Sequence, residues 1–137
     1  MAATNHFSEI TLSISNSLIA VVKKRAEVKA KIEAIEAAGC VAGHIAEEWR
    51  KYNGERKGPY YRLHFYVDQN GHKQKPRYLG KSPEATLQQI ENNRQRDELV
   101  KQLNQIDHTI DYSRRTMDAL DSYLQHHLYD QLELFQE

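Results

Sequence analysis

The chain reads as an α+β protein, mainly α, in the order α-βββ-α. Two long helices pair antiparallel as a coiled coil, and a two- or three-stranded antiparallel β-sheet is inserted at their tip. Three observations predict this. Apolar residues recur at 4-3 spacing over one stretch near each end. The only stretch with clear β character, GPYYRLHFYVDQNGHKQKPRYLGK from Gly58 to Lys81, lies between them. After Pro83 there is no Gly or Pro to interrupt a helix. A length of 137 residues suits one domain. It divides into a first helix over 8–38, a sheet insertion over 40–81, a second helix over 83–128 and a tail over 129–137.

In the first helix Ile14, Leu18, Val21, Val28, Ile32 and Ile35 form the seam, broken by Arg25, and Gly39 is a natural stop. Residues 40–57 fit either class. Val41, Ile45, Trp49 and Tyr52 stand at helical spacing. The alternation Ile45, Glu47, Trp49, Lys51 against Ala46, Glu48, Arg50, Tyr52 fits a strand, which Gly39, Gly43 and the Asn53-Gly54 turn signal favour. A strand over 44–52 makes a third partner for a hairpin that would be marginal alone. That hairpin is predicted around Asn70-Gly71, a type I′ signal. A two-residue loop sets Leu63 opposite Tyr78 and Phe65 opposite Pro76. It then sorts Leu63, Phe65, Val67 and Tyr78 to one face and Arg62, His64, Tyr66, Lys73, Lys75 and Arg77 to the other.

The second helix opens with Ser82 as cap, Pro83 at the first position and Glu84 at the positive end of the dipole. Leu99, Leu103, Ile106, Ile110, Met117, Leu120 and Leu124 form its seam, with Ser113 the weak position. At 1.5 Å per residue it is roughly 69 Å long against roughly 46 Å for the first helix. With Ala38 beside Pro83, Ser8 falls near Ser113 and the rest overhangs. The overhang carries Met117, Leu120, Leu124 and Leu128, whose apolar surface calls for a homodimer, or for N-terminal residues folded back over it.

Net charge is zero, but it is distributed unevenly: +1 over residues 1–43, +5 over 44–81 and −6 over 82–137. The single cysteine, Cys40, forms no intramolecular disulfide, and no apolar run approaches a membrane span, so a soluble cytoplasmic protein is expected. A sheet face that interleaves cations with aromatics can meet phosphates and bases. The expected contacts to double-stranded DNA are Arg50, Arg62, His64, Tyr66, Lys73, Lys75, Arg77 and Lys81. No catalytic constellation, cofactor motif or metal site is expected. Asp107, His108 and Asp111 read as a solvated face, His126 and His127 point to different faces, and Cys40 lacks a nucleophile motif.

The segment GPYYRLHFY…NGHKQKPRYLGKS resembles a pattern of small phage, plasmid and transposon proteins, in which a GPY(Y) strand and an RY(L/I)GK strand are joined by a glycine turn. It is also similar to the three-stranded arm-binding domains of phage-type integrases. These resemblances cover about 40 of the residues. They imply a DNA-binding sheet, but no recombinase activity. The terminal Gln131-Leu132-Glu133-Leu134-Phe135 resembles the QL(S/D)LF pentapeptide that docks bacterial replication and repair proteins on the β sliding clamp. The resemblance implies polar contacts from Gln131 and apolar subsites for Leu132, Leu134 and Phe135. The function expected is that of a non-enzymatic DNA-binding accessory protein of a mobile element or of replication, possessing a clamp-docking tail. The alternative is a coiled-coil adaptor that binds replication proteins without touching DNA.

Overall fold

The computed structural model describes residues 2–135, with side chains described for residues 5–128 and 130. Five elements follow in order: α1 (Ala2–Ala38), β1 (Gly43–Tyr52), β2 (Glu55–Phe65), β3 (Arg77–Gly80) and α2 (Glu84–Phe135). The element order is the one read from the sequence, and residues 43–52 take the strand alternative. Both helices run longer than expected. α1 begins six residues before Ser8, and α2 continues beyond Leu128 to Phe135, into the segment expected to be a tail. The expected clamp-docking side chains of Gln131, Leu132, Leu134 and Phe135 lie outside the described residues. Among the described residues no helix is long and apolar enough to cross a membrane.

The chain divides into two compact units. One comprises the chain up to Lys29 and from Lys101 onward. Here Arg25, the residue that breaks the apolar seam of α1, donates from Nε to Asp107 Oδ1 at 2.5 Å, so the polar seam position is matched by a carboxylate. Both side chains are part-exposed, and such pairs contribute about 1 kcal/mol or less. Arg25→Ala is therefore expected to move a urea unfolding midpoint only slightly. Farther along, Thr11, Ile14, Leu18 and Ile19 share a groove of about 660 Å³ with Met117, Leu120 and Leu124. The expected placement of Ser8 near Ser113 is thus corrected, because each part of α1 lies beside a later part of α2. Met117, Leu120 and Leu124 have α1 residues beside them and do not overhang.

The other unit, Ala30–Val100, holds the sheet. It also shows what the opening turns of α2 do instead of lying beside the end of α1. Asn92 Nδ2 donates to Gly39 O at 3.0 Å, and Val41 N donates to Gln89 O at 3.1 Å, so these turns hold the segment that follows α1. Gly39 N caps α1 on Ile35 O, and Pro83 O accepts the first α2 bond from Leu87 N. Ile32, Gly43, Leu63, Pro83 and Thr86 are buried in this unit.

The sheet has the order β1-β2-β3 and is antiparallel throughout. β1 and β2 are joined at Asn53-Gly54, where both residues have positive φ as a type I′ turn requires, and Tyr52 pairs with Glu55 across it. From there the ladder runs Lys51↔Arg56 and Arg50↔Lys57. It slips at Trp49, opposite Gly58-Pro59, then resumes from Glu48↔Tyr60 to Gly43↔Phe65. Gly43 could carry no side chain, since a Cβ there would lie 2.5 Å from His64 O.

The connection from β2 to β3 corrects the predicted hairpin. Asn70-Gly71 is not a two-residue loop between long strands. Residues 66–76 lie outside the strands and are organised by Asp68, whose Oδ1 accepts from Asn70 N at 2.9 Å and His72 N at 2.8 Å. Pro76, which has no N–H to offer a ladder, stands immediately before β3. The register becomes Leu63↔Arg77 and Arg62↔Tyr78, with an irregularity before Tyr61↔Gly80. This is one residue away from the expected Leu63 opposite Tyr78, and it sends Arg77 and Tyr78 to the opposite faces from those expected.

Candidate nucleic-acid interface

Pairing across the ladders, with alternation along each strand, sorts the side chains away from the register slips onto two faces. Gly43, Ile45, Glu47, Trp49, Lys51, Arg56, Tyr61, Leu63, Phe65 and Arg77 share the face that holds the buried Leu63. The other face carries His44, Ala46, Glu48, Arg50, Tyr52, Glu55, Lys57, Tyr60, Arg62, His64 and Tyr78, and Tyr66, just past the end of β2, joins it by its ring contact with His44. Ring contacts fit this assignment. The His44 and His64 rings stack with centroids 5.2 Å apart, and His44 also lies 6.0 Å from Tyr66. Tyr60 and Tyr78 are 6.4 Å apart.

The cations on this second face are laid over its rings. The Arg50 guanidinium lies 4.9 Å from the Tyr60 centroid and 5.6 Å from that of Tyr78. Lys81 Nζ is 5.6 Å from Tyr60, and Lys57 Nζ is 5.9 Å from Tyr52. A guanidinium held by its plane keeps its N–H edge free for phosphate oxygens, and it loses less freedom on binding than an unconstrained side chain. Arg62 is differently placed. Its Nε lies 3.3 Å from Glu48 Oε1 in a charge pair, yet outside hydrogen-bond geometry. Arg62 is therefore partly neutralised, and the positive character of the face rests on Arg50, Lys57 and Lys81.

Of the eight residues predicted to meet DNA, Arg50, Arg62 and His64 stand on this one face, Tyr66 lies against its His44, and Lys81 sits over its Tyr60. The remaining three are corrected. Lys73 and Lys75 belong to the irregular 66–76 connection, where they are exposed, and not to a strand. Arg77 lies over the Phe65 ring at 5.4 Å, on the Leu63 side. The predicted surface of Arg62, Lys73, Lys75 and Arg77 on a single face is therefore not what the register produces. Sequence reasoning missed His44, Lys57, Tyr60 and Tyr78. The Asn53-Gly54 signal could have found His44 and Lys57, because a type I′ turn there sets Tyr52 against Glu55 and Arg50 against Lys57, whereas Tyr60 reaches this face only through the slip at Gly58-Pro59, which the turn does not announce.

Among the described residues no group of three His, Cys, Asp or Glu side chains could hold a metal ion. Asp107 is engaged by Arg25, and Asp111 lies within ion-pair reach of Arg114 and Arg115. No family model matches the chain, and no curated protein or solved structure shows significant similarity to it.

Proposed function

We propose that the protein is a non-enzymatic DNA-binding accessory factor that meets duplex DNA with the His44–Tyr66–Arg50–Tyr78 face of its sheet. The observation that carries this reading is the row of cations held on rings: Arg50 over Tyr60 and Tyr78, Lys81 over Tyr60 and Lys57 over Tyr52. Phosphates supply affinity through these charges, while the half-exposed rings and His64 touch sugars and bases. The test is Arg50→Glu combined with Lys81→Glu, read by duplex binding across a salt series. Binding is expected to fall below detection at moderate salt, with the log–log salt slope flattened by roughly 2, about one for each phosphate no longer neutralised. Wild-type affinity in the double variant would remove the sheet face as the binding surface.

The helices complete the reading as an antiparallel coiled coil through which two copies associate, so that one dimer presents two sheets. The resemblance of Gln131-Leu132-Glu133-Leu134-Phe135 to the clamp-docking pentapeptide supports attachment to the sliding clamp. The backbone is helical through Phe135, so docking as an extended peptide requires the last turn to unwind, which helix ends do readily. Truncation before Leu134 is expected to abolish retention on immobilised clamp and to leave duplex binding unchanged.

A further inference from the structure

The strands β1 and β2 extend past their neighbour. β3 pairs only with Tyr61–Leu63, so from Tyr60 to the Asn53-Gly54 turn the sheet is a two-stranded ribbon. Every residue from Lys51 to Lys57 is exposed. Five residues per strand give this ribbon a length of roughly 17 Å. Its terminal segment, Trp49 to Lys57, carries Arg50, Lys51, Arg56 and Lys57 against the one carboxylate of Glu55.

These charges are not confined to the face described above. Lys51 and Arg56 pair directly across the ladder on the opposite side, and the Arg56 guanidinium lies 4.4 Å from the Trp49 ring centroid. Trp49 is itself fixed by its Nε1–H, which donates to Glu47 Oε1 at 2.8 Å. Each side of the ribbon thus has a cation seated on a ring, Arg56 on Trp49 and Lys57 on Tyr52. A sheet that only lies flat on a polyanion has no use for cations on its back. A ribbon that enters a groove is flanked by phosphates on both sides.

We propose that the Trp49–Lys57 ribbon inserts into the major groove of B-form DNA, with Arg50 and Lys57 facing one phosphate wall and Lys51 and Arg56 the other. This rests on the sheet-face reading and specifies how the duplex is engaged. The major groove of B-DNA, about 12 Å wide, admits a two-stranded ribbon, whereas the deep, narrow groove of A-form RNA does not. Selection for DNA over RNA duplexes then follows from the shape of the ribbon and needs no base-specific contact.

The test compares the full-length protein with Lys51→Ala/Arg56→Ala on a DNA duplex and on an RNA duplex of the same sequence. Methyl green serves as a major-groove competitor and netropsin as a minor-groove competitor. Wild-type protein is expected to bind the DNA duplex at least roughly tenfold more tightly than the RNA duplex. Methyl green should displace it and netropsin should not. The double alanine variant, with an unchanged circular dichroism spectrum, should have its salt slope flattened by about 1.8. Equal affinity for the RNA duplex, or displacement by netropsin alone, overturns the insertion. So does an unchanged salt slope in Lys51→Ala/Arg56→Ala when Arg50→Glu/Lys81→Glu loses binding, an outcome that leaves the sheet-face reading standing. If neither variant alters binding, both readings fall.

Discussion

Leu120→Glu combined with Leu124→Glu is expected to turn a dimer into a monomer, read by sedimentation equilibrium at micromolar concentration. The unit that contains these residues buries little by itself. Among its described hydrophobic residues only Val28 is buried, while Met117, Leu120, Leu124 and Leu128 remain 47%, 55%, 54% and 55% exposed. Ile14 and Ile19 beside them are also exposed. Two helices can shield each other along one seam only, and a stripe of this size calls for two more helices. Completing the burial of a leucine already half covered contributes roughly 1 kcal/mol. The four leucines of a dimer thus supply roughly 4 kcal/mol of the roughly 8 kcal/mol that a micromolar association needs. Placing four carboxylates there removes that contribution and adds a desolvation cost of several kcal/mol. A wild-type protein that sediments as a monomer would sink the proposal without recourse to the variant.

Leu63→Ala is the substitution expected to damage the sheet most. Leu63 is completely buried near the end of the central strand β2, between Ile45 and Arg77 in the register, and its Cδ1 lies close to Gly43. Truncating a buried leucine costs roughly 2–5 kcal/mol, against a total of roughly 5–15 kcal/mol for a typical domain. Few other side chains in this unit are buried, so little remains to absorb the loss. Amide exchange in β1 and β2 is expected to accelerate by two or more orders of magnitude, while the far-ultraviolet helix signal changes little. Unaltered exchange in β2 would show that the sheet does not depend on this residue.

The sequence made the element order legible because its punctuation is local. Gly39 ends α1, Pro83 opens α2 and Asn53-Gly54 turns β1 into β2, each through backbone preferences that need no distant partner. Periodicity identified both apolar seams, and alternation assigned Arg50 and Trp49 to opposite faces. What stayed hidden depends on competition between signals. Asn70-Gly71 is as strong a hairpin signal as Asn53-Gly54, but Asp68 engages the surrounding amides and Pro76 denies the ladder a donor. The result is an irregular connection and a register displaced by one. The same limit applies to the helices. Their 4-3 spacing is nearly invariant to sliding by a heptad, and the bonds from Val41 N to Gln89 O and from Asn92 Nδ2 to Gly39 O fix where the start of α2 stands against the end of α1.

The strand β2 presents Leu63 to the protein interior and Arg62, His64 and Tyr60 to the opposite side, so cohesion and recognition share one backbone. Any polyanion that grips one surface of that strand also holds the other in place. By mass action, a ligand at a hundred times its dissociation constant adds about 2.7 kcal/mol to resistance against unfolding. In a sheet with so small an interior, occupied molecules should outlast empty ones under heat or protease, and the survivors of such a challenge would report on occupancy itself.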